Sequence, residues 1–128
     1  MNRFEWIPSL AINVEPVDSQ HQRLFEIYNS ACASEEDSFD QIELVKELFR
    51  YSQVHFREEE SLMAKVGYPA EELDRHKQLH RAFIRRLDHF QGTRSWELLN
   101  FFREWLLRHI LAVDSKVGRF MREHRVEA

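Results

Sequence analysis

The sequence is poor in the residues that interrupt helices, with only three glycines and three prolines among its 128 residues. A sheet-rich fold of many short strands needs Gly and Pro at its frequent turns, so this scarcity argues against a β-sandwich or a β-barrel. The composition instead favours long helices joined by a few turns. A chain of this length fits one domain with a core large enough to be stable by itself.

Cysteine is also scarce, and so are long apolar runs. The one cysteine, Cys32, has no partner within the chain, which excludes an internal disulfide framework. The opening stretch MNRFEWIPSLAIN lacks the uninterrupted apolar run of a signal peptide or a membrane span. We therefore expect a cytoplasmic protein that does not insert into membranes.

The chain has no excess of positive charge. Its formal net charge is -4, and acidic and basic residues are interspersed, which disfavours binding to nucleic acid or to an anionic membrane surface. Histidine, in contrast, is abundant, with seven residues in a short chain. This abundance needs a chemical explanation.

Apolar residues recur at helical spacing in four segments. Asp18 is placed to cap a first helix, which ends in the polar run SEEDS at 34–38. Ser38 and Gln41 have the spacing of a capping box, and the second helix is predicted to run from there to about Lys65.

The remaining helices are bounded by Gly and Pro. Gly67 is predicted to end the second helix, and Pro69 to open a third that Gly92 ends. Thr93 or Ser95 then caps a fourth helix, and a short tail helix follows.

Short connections between long amphipathic helices make neighbouring helices antiparallel. We therefore predict an all-α fold, an up-down-up-down four-helix bundle with an N-terminal extended arm and a short C-terminal helix. The single domain of residues 1–128 divides into an arm at 1–17, the bundle at 18–113 and the tail helix at 114–128.

Histidines replace apolar residues on the predicted inward face of all four helices. A lone buried histidine is best interpreted as a core residue bonded to the backbone. Several together need more partners than a dry interior offers, and a metal ion supplies them. The inward histidines are His21, His55, His76, His80 and His109. His89 and His124 are predicted to lie at the surface.

One glutamate of the run at 58–60 shares this inward face. At about 100° per residue, Glu59 lies roughly 40° from His55, on the apolar side, whereas Glu58 lies roughly 60° away on the polar side. Glu60 lies about 140° away. Glu59 is thus the predicted inner carboxylate, and Glu58 and Glu60 are predicted to be solvated charges.

Asp114 is a further candidate ligand. It follows His109 by five residues, about 140° around an ideal helix, so the two share a site only if the fourth helix ends or bends between them. Spacing alone leaves the choice between ligand and surface residue open.

Five imidazoles and two carboxylates exceed the needs of one tetrahedral zinc ion, which favours two metals. Two Fe(II) ions carry four positive charges, and two carboxylates with a bridging hydroxide offset three, leaving about +1 in the low-dielectric interior. Iron is our first choice.

The residues at this point resemble those of the hemerythrins, in particular the single-domain bacterial form. The resemblance covers nearly the whole chain, with five motifs in order. They are DSQH at 18–21, HFREE at 55–59, GYP at 67–69, HKQLH at 76–80 and WLLRHILAVD at 105–114.

The resemblance implies which residues hold the metals. One iron has His76, His80 and His109 as ligands, and the other has His21 and His55. Glu59 and Asp114 bridge the two, together with an oxo or hydroxo group between Fe2+/Fe3+ ions. The iron with two histidines keeps an open position for dioxygen. The residues that resemble the family's apolar pocket walls are Leu24, Phe56, Trp105, Leu106 and Ile110; ordinary core packing explains them equally well.

The implied function is reversible dioxygen binding for storage, delivery or sensing, by a monomer that is not an enzyme. A di-iron oxidase or peroxidase, or a nitric oxide-responsive protein, is the alternative. Dioxygen is the expected partner, with nitric oxide or an oxygen-requiring enzyme as further candidates. Oxygen-activating di-iron bundles use carboxylate-rich ligands with paired Glu-x-x-His motifs, and their absence here favours binding over activation.

Overall fold

The computed structural model of the protein describes residues 10–89 and 94–124. Within these residues the secondary structure is helical and no strand is present, which confirms the predicted all-α class. The elements are α1 (Val17–Ala33), α2 (Phe39–Lys65), α3 (Ala70–His89), α4 (Ser95–His109), a π-turn (Ile110–Asp114) and α5 (Ser115–Glu123).

Helices α1 to α4 form the predicted up-down-up-down bundle. Helix α2 packs against α1, α3 and α4, and α4 also packs against α1 and α3. None of the helices in the described residues is long and apolar enough to cross a membrane.

Two of the predicted helix boundaries follow from local chemistry. The Ser38 hydroxyl accepts a hydrogen bond from the backbone N–H of Gln41, as a cap at the start of α2 should. Gly67, at φ 77°, follows the end of α2, and the Tyr68 N–H closes the turn by donating to Met63.

Two predicted caps are wrong. Helix α1 begins at Val17, and Asp18 lies inside its first turn, where its buried carboxylate accepts from the N–H groups of Ile12 (2.8 Å) and Val14 (3.3 Å). Ser95 is likewise inside α4, and its N–H donates to the Asp37 carboxylate at 3.0 Å. At α4 the Asp37 side chain thus accepts from the first turn in place of a local cap, whereas at α1 the Asp18 side chain accepts from the arm. Gly92 and Thr93 lie outside the described residues.

The helix is continuous across the predicted boundary between bundle and tail helix. We predicted the bundle to end at residue 113, but the chain stays helical from Ser95 through the π-turn to Glu123. A π-turn widens the helix without ending it, so the tail helix follows α4 without an intervening loop. Residues 125–128 lie outside the described part.

The described part of the arm packs against α5. Ile12 is buried, and its carbonyl accepts a hydrogen bond from the Arg122 guanidinium. A Cβ at Gly118 would lie 2.8 Å from the Ile12 Cβ and 2.9 Å from its carbonyl oxygen. Glycine at this position therefore allows the arm to approach the helix closely.

The apolar core has two parts. The larger cluster includes Leu24, Phe56, Phe83 and Ile110, and the smaller is centred on Met63, Val117 and Met121. On α2, Glu59 lies between Phe56 and Met63. On the last helical stretch, Asp114 lies between Ile110 and Val117. The polar residues therefore form a layer between two apolar clusters.

Candidate metal centre

All seven predicted ligands lie together in this layer. Helix α1 supplies His21, α2 supplies His55 and Glu59, α3 supplies His76 and His80, α4 supplies His109, and the π-turn supplies Asp114. Each is at most 5% exposed.

Different local geometries place the paired residues. His55 with Glu59, and His76 with His80, are four residues apart and so share a face of an α-helix. His109 and Asp114 are five apart, and the structure joins them through the π-turn, where the Ser115 N–H reaches the carbonyl of Ile110, five residues earlier. The wide turn brings His109 Nε2 within 3.1 Å of Asp114 Oδ1. The bend that the spacing required is a π-turn and not a break.

The two oxygens of Glu59 face different histidines. Oε1 lies 2.7 Å from His76 Nε2 and 3.4 Å from His80 Nε2. Oε2 lies 3.5 Å from His55 Nε2 and 3.9 Å from His21 Nε2. The carboxylate thus lies between a group of rings from α3 and a group from α1 and α2.

Asp114 has the same arrangement on its own side of the layer. Its Oδ1 lies 3.1 Å from His109 Nε2 and 3.2 Å from His76 Nε2. Its Oδ2 lies 3.3 Å from His21 Nε2. Both carboxylates therefore extend from the three-histidine group (His76, His80, His109) to the two-histidine group (His21, His55).

The donor set fits metal ions. His109 Nε2 lies 3.2 Å from the Nε2 atoms of both His76 and His80, so three ring nitrogens converge on one point. Within the described residues, both ring nitrogens of His21, Glu59 Oε2 and both Asp114 oxygens are buried without a hydrogen bond. Such orphaned atoms cost about 1–3 kcal/mol each. Cations between the two groups would satisfy the carboxylate oxygens and His21 Nε2, which is the His21 nitrogen that faces Glu59 and Asp114.

The electrostatics also favour cation binding. Burial and the charge of Asp114 oppose ionisation of Glu59, but hydrogen bonds from His76 and other imidazoles hold its pKa at about 2. Burial likewise opposes ionisation of Asp114, yet the neighbouring His109 imidazole keeps the pKa of Asp114 well below its ordinary value. Both groups are therefore carboxylates at neutral pH.

The pKa values of two buried histidines shift in opposite directions. Burial lowers the pKa of His55 to about 4, so this ring is neutral and ready to act as a ligand. Burial also works against protonation of His76, but the neighbouring carboxylates of Asp114 and Glu59 raise its pKa to about 9. A metal ion must therefore displace a proton from His76.

The predicted pocket residues are all in the larger core cluster or packed against it. The Phe56 ring stacks on His80 with centroids 3.9 Å apart, and the Trp105 ring stacks on His109 at 4.4 Å. These two rings cover the three-histidine group. Leu24, Leu106 and Ile110 are fully buried, and their role as pocket walls stays a prediction.

Residues outside the ligand set also contact the histidines, and sequence reasoning missed them. Glu60 Oε2 lies 2.7 Å from His80 Nδ1, so its prediction as a solvated charge is wrong. Gln20 Oε1 lies 2.6 Å from His55 Nδ1, and the Gln20 amide donates to Glu58, which remains exposed. The available signal was the DSQH motif, which places Gln20 directly before His21. As predicted, His89 and His124 lie at the surface.

A helical bundle that brings five histidines and two carboxylates together in its buried interior has the features of metal-binding bundle proteins. Residues 13–121 match the hemerythrin HHE cation binding domain. The chain therefore belongs to the hemerythrin family, as the motifs predicted.

Individual relatives match over most of their length. The chain is 31% identical to the bacteriohemerythrin of Clostridium acetobutylicum, over 87% of this chain and 95% of that protein. It is 30% identical to the bacteriohemerythrin of Stenotrophomonas maltophilia, over 94% and 88%. It is 32% identical to hemerythrin subunit alpha of Lingula reevii, over 88% and 91%.

Proposed function

We propose that this protein binds dioxygen reversibly at a non-haem di-iron centre, for storage, delivery or sensing. The observation that supports the proposal is that the two oxygens of each carboxylate face different histidine groups. His76, His80 and His109 would hold one iron, and His21 and His55 the other. Glu59, Asp114 and an oxo or hydroxo group would bridge them.

One group has three histidines and the other has two, and this difference supports binding of dioxygen at the two-histidine end of the centre. Bound iron would supply the electrons that allow dioxygen to bind and leave. The two-histidine group would offer iron one protein ligand fewer, which would leave room for dioxygen there. Leu24, Leu106 and Ile110 are the proposed apolar walls that keep water from it.

The ligand chemistry favours a binding protein over an enzyme. Di-iron bundles that activate dioxygen are rich in carboxylates, usually four, whereas this layer holds two carboxylates among five imidazoles. A buried, apolar surrounding also limits the supply of protons that oxidase chemistry consumes. We further propose a monomer, and a cytoplasmic location based on the unpaired Cys32.

The test is exposure of the anaerobic ferrous protein to air, followed by visible absorption. We expect a charge-transfer band that appears in air and disappears under argon over repeated cycles, from protein containing two irons per chain. Immediate irreversible conversion to a ferric form would favour the oxidase, peroxidase or nitric oxide-responsive alternative. One metal per chain, or full occupancy by zinc from iron-rich medium, would contradict the proposal.

A further inference from the structure

Two of the candidate ligands hold a side-chain partner on the ring nitrogen that faces away from the layer. His80 directs Nε2 toward Glu59 and His109, and its Nδ1 meets the Glu60 carboxylate at 2.7 Å. His55 directs Nε2 toward Glu59, and its Nδ1 meets Gln20 at 2.6 Å. Among the residues that the structure describes, each histidine group has one such contact.

The chemistry of these partners fixes the tautomer of each ring. An ionised carboxylate only accepts hydrogen bonds, so Glu60 requires the proton of His80 on Nδ1 and leaves Nε2 free as a ligand. The Phe56 ring stacked on His80 restrains the ring plane, and Glu60 restrains its rotation within that plane. The Glu60 side chain is only 20% exposed, so water screens this contact incompletely.

At the other end, the orientation of an amide matters. Gln20 can offer either its oxygen or its NH2 group to His55. Because its NH2 group donates to Glu58, the oxygen is the atom that faces His55. Glu58 thus acts through Gln20 and keeps the proton of His55 on Nδ1.

We propose that Glu60 and the Gln20–Glu58 pair are positioning residues of the metal centre, which hold His80 and His55 with Nε2 toward the metals. The inference rests on the proposed metal site. It gives each member of the 58–60 run a role: Glu59 inside the layer, Glu60 on His80, and Glu58 on His55 by way of Gln20.

The experiment measures the rate at which loaded protein loses metal to an excess of chelator. Residues that orient metal-binding histidines typically contribute 10–100-fold in metal affinity. We expect Glu60→Ala and Gln20→Ala to release metal about 10–100-fold faster than the parent. Glu60→Gln keeps an acceptor for Nδ1, and its rate should lie closer to the parent than to Glu60→Ala. Ser61→Ala, exposed and adjacent on α2, is the matched control and should release metal at the parent rate.

A second readout excludes a merely structural effect. Zinc-loaded protein is diamagnetic, so the Nδ1 proton of His80 should give an NMR signal protected from solvent exchange in the parent and in Ser61→Ala. We expect the signal to be lost in Glu60→Ala, at unchanged helix content by circular dichroism.

Each failure has its own signature. Release from Glu60→Ala and Gln20→Ala at the Ser61→Ala rate, or no rescue by Glu60→Gln, overturns this inference while the metal site stands. A parent that binds zinc but not iron contradicts the proposed function alone, because zinc release still tests the positioning. A parent that binds neither metal overturns both proposals.

Discussion

Three consecutive glutamates on α2 differ in role because a helix turns by about 100° per residue. This rotation puts Glu59 in the layer, at 1% exposed, and sends its two neighbours to opposite sides. Helical phase therefore separates three chemically identical side chains into one buried residue and two outer ones.

The first prediction concerns the inner member of this run. Glu59→Ala should abolish loading with two irons, because it removes the oxygens that face both histidine groups. Glu58→Ala should still purify with two irons, because Glu58 contacts the site only through Gln20. Metal analysis of the purified variants checks this. Loss of iron in Glu58→Ala with retention in Glu59→Ala would mean that the assigned helical phase is wrong.

Phase on one helix was sufficient to predict that Glu59 faces inward, but not what Glu60 meets. The contact of Glu60 with His80 depends on how α3 lies beside α2, and that placement comes from packing of the whole bundle. The same holds for Gln20, whose partners His55 and Glu58 are on another helix. The inward position of Glu59 was therefore predictable from the pattern of one helix, whereas the contacts of Glu60 and Gln20 with residues on other helices were not.

The second prediction concerns the pocket wall. Leu106 is 1% exposed and precedes His109 by three residues, so both lie on one face of α4. Leu106→Ala should cost about 2–5 kcal/mol in the free energy of unfolding. It should also speed irreversible loss of the oxygenated absorption, because water gains access to the centre.

A matched control separates the two effects. Leu99 is equally buried in the same core cluster, two turns earlier on α4. Leu99→Ala should lose similar stability while its oxygenated absorption decays at the parent rate. Equal decay rates in folded, iron-loaded Leu106→Ala and Leu99→Ala would show that Leu106 is a core residue and not a barrier to water.

At the scale of elements, the π-turn is what joins Asp114 to the site. The five-residue spacing from His109 left open whether Asp114 is a ligand, and it required the helix to end or bend if the two share a site. The continuous helix also carries α5 against the arm, where Arg122 binds the carbonyl of Ile12. That contact joins residues near opposite ends of the sequence, so a local sequence pattern cannot predict it.

The third prediction tests the close approach of arm and α5. Replacing an interior helical glycine with alanine normally stabilises a helix by roughly 0.5–1 kcal/mol. At Gly118 the new Cβ would lie 2.8 Å from the Ile12 Cβ, and such overpacking typically costs about 1–3 kcal/mol. We therefore expect net destabilisation of Gly118→Ala, measured by urea unfolding. Lys116→Ala, exposed on α5, is the control and should change little; a stabilised Gly118→Ala would contradict the observed contact.

At the scale of the whole molecule, the ligand layer is the junction between two apolar clusters. All four bundle helices contribute to it, and its orphaned polar atoms weaken the fold unless cations satisfy them. The sequence predicted both the ligand stripe and the bundle, so this arrangement followed from pattern. The ligand layer divides the core into two clusters because of how the helices pack side by side, and the pattern of a single helix does not specify that packing.

The last prediction follows from this division. A ligand that binds only the folded state stabilises it by about 4 kcal/mol at a thousand times its dissociation constant, which corresponds to a rise of roughly 10–20 °C in Tm for a chain of this size. Removal of iron by a chelator should therefore lower Tm by about this amount, and adding Fe(II) back under anaerobic conditions should restore it. Calorimetry on both forms measures the shift. Glu59→Ala, which we expect not to load, serves as the control and should melt at the same temperature with and without added iron. An equal Tm for the loaded and metal-free parent would mean that the two clusters hold together without the metals, and that the layer is not the junction on which the stability of the bundle depends.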